Sequence, residues 1–423
     1  MRRLKILFGS AILIFLSSII IASKATDEEK NLTRIENNQL VAVNKNVDKK
    51  ALKLYLERQQ QLKFEIQAYF ERAIAKGDIV GAGVSIVQGD SIILSDGFGK
   101  RSVDGTKNVD GETVFRLGSL SKGFTGVLAA SLQSENVLDF NDRVTEYLPQ
   151  FQLGTEANTQ KITLAHILSH SAGTPYHSYT NLVEAGLPMT EIASRFHEVT
   201  PISEPGSTYS YQNALFALSQ EAMKEATGDN FTTLLKKRFF IPLEMKNVSM
   251  DYNTLSKASN VALPHSKRRN GWRKLRLNDH YYNAVAAGGI NASSSDMAKW
   301  MRFLLGHNPE VFSQSAIQEA FCPTVSISYN RKYYQKWPGH VRSQYGFGWR
   351  IHTVKEKETG TEKTIWHHGG SVNNYRNEIA LYPEEDLGIC VLLNSNSKIA
   401  RHVIPDLYAL MQEVFADTPE SIL

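Results

Sequence analysis

Phe115-Arg116-Leu117-Gly118-Ser119-Leu120-Ser121-Lys122 is the stretch on which the reading of this chain turns. It contains Ser-x-x-Lys, with Ser119 and Lys122 three positions apart. On a helix that spacing puts both side chains on one face, within reach of each other. A serine hydroxyl is a poor nucleophile until a base takes its proton. A neighbouring amine whose pKa is lowered by desolvation can do so. At a helix N-terminus the backbone N–H groups also favour a developing oxyanion. The tetrapeptide alone is common: average composition gives on the order of one or two in a chain this long. Ser395 and Lys398 form another. Context separates the two. The first lies at a predicted turn-to-helix junction, the second in a polar loop after a strand.

Outward from this stretch the chain alternates recognisable pieces. Leu52, Leu54, Tyr55, Leu62, Ile66, Phe70 and Ile74 recur at helical spacing over 51–76, and Gly77-Asp78 ends that helix. The β-rich runs 79–88 and 91–100 flank Gly89-Asp90 and predict a hairpin. Roughly 140–310 reads as helical pieces between Gly/Pro/Ser/Asn loops. Strands return near 345–353, 363–368, 375–382 and 387–394, and a last amphipathic helix spans about 400–415. Strands at both ends enclosing a helical insertion predict an α/β (α+β) fold: one mixed, mainly antiparallel sheet flanked by helices, its first and last strands side by side.

Composition narrows the function. The 423 residues are 42% hydrophobic and 21% charged, an ordinary globular balance. Two cysteines, Cys322 and Cys390, exclude a disulfide scaffold, an iron–sulfur protein and a Cys-rich zinc module. The formal charge of +4 comes from Arg2, Arg3, Lys5 and Lys24, so the remaining chain is balanced and carries no general field for nucleic acid. Behind the first three cations, Ile6–Ala22 is apolar, and Ser23-Lys24-Ala25 offers small residues for cleavage. Residues 1–25 therefore read as a signal peptide or an N-terminal anchor, with the body exported. Residues 26–50 read as a polar tether, and 51–423 as the working domain, periplasmic or extracellular, with the possible anchor at 6–22.

A proton carrier beyond Ser119 and Lys122 is sought next. Tyr-x-Asn occurs at Tyr179/Asn181, Tyr211/Asn213, Tyr281/Asn283 and Tyr375/Asn377. Only Tyr211 follows a Pro205-Gly206 turn and leads into an apolar helix, an arrangement that presents a side chain to a cleft; the others read as surface or strand tyrosines. A third element, Trp366-His367-His368-Gly369-Gly370, lies on a late strand, where small residues let a substrate backbone approach. His166 and His170 have a zinc-compatible spacing, but there is no third ligand pattern; no metal and no cofactor is expected. Asp96-Gly97-Phe98-Gly99 lacks the last glycine and the helix of a dinucleotide site.

In this order, Ser-x-x-Lys, Tyr-x-Asn and His-x-Gly resemble the motifs of the serine β-lactamase and penicillin-binding superfamily. The tyrosine in the second motif makes the chain similar to class C β-lactamases and their DD-peptidase and esterase relatives. Leu164–Gly173, Ala287-Gly288-Gly289 with Ser294–Asp296, and Tyr345-Gly346-Phe347-Gly348-Trp349 resemble further segments of that family. The match spans about 65–395. The resemblance implies Ser119 as acylated nucleophile, Lys122 as its proton acceptor or electrostatic partner, Tyr211 as acid/base and Asn213 as a substrate amide contact. It implies the Ser119 N–H as half of an oxyanion hole. The third motif reads as His368-Gly369-Gly370 or His367-His368-Gly369, with the second N–H from Ser371 or Gly370 respectively. The first register is favoured, making His368, Gly370 and Ser371 substrate-binding residues. Histidine stands where β-lactamases carry lysine, which weakens the case for efficient β-lactam hydrolysis and suits esterase or peptidase chemistry. Arg376 is a candidate compensating cation or a sheet-edge residue.

The implied activity is an exported serine hydrolase acting on an amide or ester, such as a D-amino-acid cell-wall peptide or a β-lactam. Alternatives are a carboxylesterase of small acyl esters and a non-catalytic peptidoglycan-binding protein. The partner is a small-molecule or peptide substrate, with no nucleic acid; oligomeric state stays open. The substrate pocket is expected from loops 174–190 and 250–285.

Overall fold

Why the first strand after the first helix is covered on both faces follows from its sequence. Gly81–Gln88 is a run of small and β-branched residues, every one of them buried. The computed structural model describes residues 49–416. The signal or anchor at 1–25 and the tether up to residue 48 lie outside the described residues. Lys49 and Lys50 already belong to the first helix, α1 (Lys49–Ala75). Gln59–Ala416 forms one compact unit. Within it α1 buries Leu62, Ile66, Phe70 and Ala73, and Phe70 stacks on Phe98 at 5.0 Å.

The predicted hairpin is β1 (Gly81–Gln88) and β2 (Ser91–Gly99). The later strands are β3 (Val325–Ser326), β4 (His340–Tyr345), β5 (Arg350–Lys355), β6 (Glu362–Val372), β7 (Tyr375–Tyr382) and β8 (Leu387–Leu393). They form one sheet of order β2-β1-β8-β7-β6-β5-β4-β3. Every neighbouring pair is antiparallel. The first and last strands are adjacent, with Val84 opposite Val391. Both are buried throughout, as strands between two layers are.

Four helices matter for the site. They are α2 (Ser121–Ser134), α3 (Asn213–Thr227), α4 (Ser294–Leu304) and α5 (Val403–Phe415). The helix α2 is buried from Ser121 to Leu132, as an all-round apolar helix must be. It reaches α4 through Phe124 stacked on Trp300 at 4.1 Å. The α4 helix, inside the expected insertion, packs on β1, β2 and β8, while α5 packs on β7 and β8. The middle region also holds a ribbon, His265–Arg268 with Gly271–Lys274.

One expected strand is broken. The stretch near 345–353 is the end of β4, a turn over Gly346–Trp349, and the start of β5. The turn folds back onto α2: Gly348 has φ +80°, and a Cβ there would overlap the Lys122 carbonyl.

Candidate active site

Ser119 is delivered by a short strand, Phe115–Arg116, and a 3-10 turn, Gly118–Leu120, that runs straight into α2. The strand is pinned by pairing with Asn291–Ala292. Gly118 takes φ +57°, and a Cβ on it would lie 2.9 Å from the Ser371 backbone nitrogen. Only glycine lets the nucleophile turn and the end of β6 touch main chain to main chain. Ser119 is half-buried, and Lys122, one turn on, is wholly buried.

Lys122 Nζ lies 3.5 Å from Ser119 Oγ. It donates to Asn213 Oδ1 at 2.8 Å and to the Ala287 carbonyl at 2.7 Å. Burial drives its pKa well below the ordinary lysine value, and the positive charge of Arg350 adds to that. The Tyr211 hydroxyl donates to Ser119 Oγ at 2.9 Å. Burial pushes that phenol up to about 12, against the opposing pull of Arg350 and the Ser119 hydrogen bond. The site thus sets an amine of lowered pKa and a protonated phenol on one serine oxygen. Asn213, the first residue of α3, bridges Lys122 and the Tyr281 hydroxyl, donating to the latter at 3.1 Å.

The two histidines of the third motif point to opposite faces of β6. His368 is fully buried beneath the cavity floor; its Nε2 shares a 2.9 Å hydrogen bond with the Tyr345 hydroxyl. Burial, then the charges of Arg350 and Lys122, hold it neutral. Gly370 faces the same way, where a Cβ would overlap the Leu117 carbonyl. Gly369 and Ser371 line the cavity. His367 joins a buried chain. Its Nε2 meets Glu378 Oε2 at 2.8 Å and its Nδ1 meets His352 Nε2 at 3.0 Å. His352 Nδ1 meets Ser343 Oγ at 2.9 Å, which meets His340 Nε2 at 2.7 Å. Glu378 also accepts from Tyr333 at 2.8 Å and pairs with Arg376 at 3.0 Å.

His166 and His170 do not converge as ligands. His166 Nδ1 accepts from the Thr163 N–H at 3.1 Å. His170 Nδ1 accepts from the Gln212 N–H, and its ring lies against Tyr211 at 4.2 Å. Among the described residues no cluster of three His, Cys, Asp or Glu has a metal-holding arrangement.

Ser119, Tyr211, Asn213 and Ser371 open on one cavity of about 1490 Å³. Tyr176, His177, Thr180 and Glu184 come from the first expected loop, whereas only Tyr281 comes from 250–285. Much of the remaining wall is built by residues between 327 and 338, a segment that gave no signal in the sequence, and between 396 and 409, read only as a polar loop and the start of the last helix. Tyr281, read as a surface or strand tyrosine, is a buried cavity residue; its place in one of the four Tyr-x-Asn pairs was the available clue. Arg350 also lines the cavity.

Comparison with known proteins agrees with this architecture. The protein flp of Staphylococcus aureus (strain MW2) is 24% identical over 354 residues, covering 81% of this chain and 65% of that protein. The unguisins hydrolase ungD of Aspergillus violaceofuscus is 25% identical over 361 residues, covering 78% and 61%. The chain thus spans under two thirds of the length of these curated relatives. The octameric penicillin-binding protein homologue from Pyrococcus abyssi shares the fold, with a TM-score of 0.69 at 22% identity over 82% of this chain and 77% of that one. The beta-lactamase family model matches residues 66–410, and with that span, the whole sheet and every residue around Ser119, the chain belongs to the β-lactamase family.

Proposed function

We propose that this protein is an exported serine hydrolase that cleaves an amide or ester through an acyl-enzyme on Ser119. The observation that carries the reading is the hydrogen-bonded group Tyr211–Ser119–Lys122, in which burial lowers the pKa of the amine. In its uncharged form that amine has two N–H donors and one lone pair. Asn213 and the Ala287 carbonyl take both donors, so the lone pair is the part left for the Ser119 proton.

In acylation the Ser119 proton passes to Lys122, and Oγ bonds to the substrate carbonyl carbon. The carbonyl electron pair moves to oxygen, beside the N–H groups of Ser119 and Ser371. As the tetrahedral species collapses, the C–N or C–O bond breaks and the leaving group takes the Tyr211 proton. The proton on Lys122 then resets Tyr211. Water attacks the acyl ester by the reverse proton path and frees Ser119. A binding protein without turnover would have no need of this complete set.

The neutral His368 in the third motif favours esters or peptides over β-lactams, so a carboxylesterase of small acyl esters is the second reading. The basic and apolar segment at 1–25 supports export. Labelling by a fluorescent penicillin and by a fluorophosphonate, with Ser119→Ala beside the wild type, tests the reading. Turnover should fall by about 10⁴-fold or more in Ser119→Ala, because loss of the nucleophile disables the whole unit. Near-wild-type turnover in that variant overturns the assignment. Penicillin labelling that persists marks slow deacylation; fluorophosphonate labelling alone shifts the substrate to esters or peptides.

A further inference from the structure

The amide of Asn213 could meet Lys122 either way round, since its two ends are alike in shape and opposite in hydrogen bonding. In this structure Oδ1 accepts from Lys122 Nζ at 2.8 Å, and Nδ2 donates to the Tyr281 hydroxyl at 3.1 Å. The orientation decides what the lysine can do. With Oδ1 on Nζ the uncharged amine donates, and its lone pair stays free for Ser119. With the amide turned over, an Nδ2 hydrogen points at Nζ. The lone pair then accepts from Asn213, and the base is occupied by a neighbour instead of by the nucleophile.

The far side of the amide carries what selects between the two. Tyr281 Oη accepts from Nδ2, so its own proton points elsewhere. The Glu184 carboxylate bonds to that hydroxyl, and burial, then the Glu184 charge, keeps the phenol protonated. A carboxylate has no hydrogen to return, so the phenol loses this partner if it turns its O–H onto Asn213.

The backbone around Tyr281 is built for this placement. Its φ is +70°, a left-handed conformation that a bulky side chain rarely takes. Gly288 and Gly289 leave the room: a Cβ on Gly288 would lie 2.9 Å from the Tyr281 ring, and one on Gly289 would lie 2.7 Å from the Tyr281 carbonyl oxygen. Buried Arg116, three residues before Ser119, donates to Asn278 Oδ1 at 2.7 Å and to the His280 carbonyl. The strand that delivers the nucleophile thus also fastens the loop that delivers Tyr281.

We propose that Tyr281 is a positioning residue for Lys122: by accepting from Asn213 it fixes the amide with Oδ1 on the lysine and keeps the lysine's lone pair on Ser119. The inference rests on the reading that Ser119 is acylated with Lys122 as its base.

The experiment times fluorophosphonate labelling of Ser119 and measures kcat and KM on p-nitrophenyl butyrate, all in the full chain. Tyr281→Phe should lower the labelling rate and kcat by about 10-fold or more, the range of a buried hydrogen bond left unmade, with KM nearly unchanged. In Asn213→Ala the same substitution should have almost no further effect, because its route runs through the amide. The acid limb of kcat/KM should move to lower pH in Tyr281→Phe, since a turned amide aims its N–H groups at the ammonium. The other groups that face Lys122, namely Tyr211, His170, His177, His368 and Arg350, stay as they are. A merely loosened, wetted site would move the limb the other way, toward the ordinary lysine range. Labelling at the wild-type rate in Tyr281→Phe, an equal effect with and without Asn213, or a limb that moves to higher pH overturns the inference and leaves acylation standing. An unlabelled Ser119 in the folded wild type overturns both. If Tyr281→Phe does not melt cooperatively, Glu184→Gln carries the comparison from an exposed position. Its amide can donate to the phenol oxygen and lets the phenol proton turn to Asn213. Slower labelling in Glu184→Gln that disappears in the Asn213→Ala background supports the inference, and unchanged labelling overturns it.

Discussion

A lysine amine becomes a base only when its surroundings make the proton more costly than the lone pair. Lys122 meets that condition by complete burial, with Arg350 as the second cause. The groups around it are Ser119, Asn213, Tyr211, His170 and His368, none of which is a carboxylate. The acid limb of kcat/KM on an uncharged substrate should therefore lie well below the ordinary lysine range. Removing the Arg350 charge in Arg350→Met should raise the Lys122 pKa and move that limb to higher pH. A pH–rate profile from about 5 to 10 checks both statements, and a limb that stays in place refutes the coupling. Single residues were legible in the sequence only where a motif named them. Ser119, Lys122, Tyr211 and Asn213 had such neighbours. Arg350 did not: one arginine after a tryptophan has the signature of a strand surface, and its half-buried place against the Tyr334 ring is announced by no local pattern.

At the scale of elements, β4 to β7 carry a line of hydrogen bonds with one direction. Burial keeps His352 and His367 neutral, so each ring donates on one side and accepts on the other. If Glu378 is ionised, His367 Nε2–H must donate to it. His352 must then donate to His367, Ser343 to His352 and His340 to Ser343. Reversal of any one link leaves two acceptors or two hydrogens facing each other. The terminus of this line titrates. His367, Tyr333, Arg376, Arg350 and Cys390 surround Glu378, and burial outweighs the two cations and the phenol, lifting its carboxyl to about 7. The folded-state value exceeds the ordinary 4.5, so the stabilising share of this group is complete below about pH 4.5 and is lost as pH rises through about 7. The stability of the wild type relative to Glu378→Gln should thus fall by about 3 kcal/mol over that interval. Urea melts of both proteins between pH 4.5 and 8 measure it, and a constant difference refutes it. The strands themselves were readable from alternation and β-branching. The turn at Gly346–Trp349 was not, because Tyr-Gly-Phe-Gly-Trp alternates like a strand. What bends it is contact with α2, through a glycine at φ +80° against the Lys122 carbonyl.

For the whole molecule, summed charge and placed charge diverge. The chain beyond the first 25 residues is formally neutral, yet the cavity wall carries seven cations and two carboxylates. No total could reveal this, since the wall gathers segments from 327–338 and 396–409 that are distant in sequence from Ser119. Such a wall steers anions from solution, and salt screens it. Raising ionic strength from about 0.02 to 0.3 M should lower kcat/KM for a carboxylate substrate several-fold, and much less for its carboxamide; equal effects on both would count against steering. The pairing of β1 with β8 sets a different condition, one of timing. The hairpin that leads to Ser119 has its partner strand at residues 387–393, so the sheet beneath Ser119 closes only once residue 393 has been made. Until then a nascent chain holds all its motifs and no catalyst. Synthesis itself delays the assembly of the site, because its last strand is added about 270 residues after Ser119.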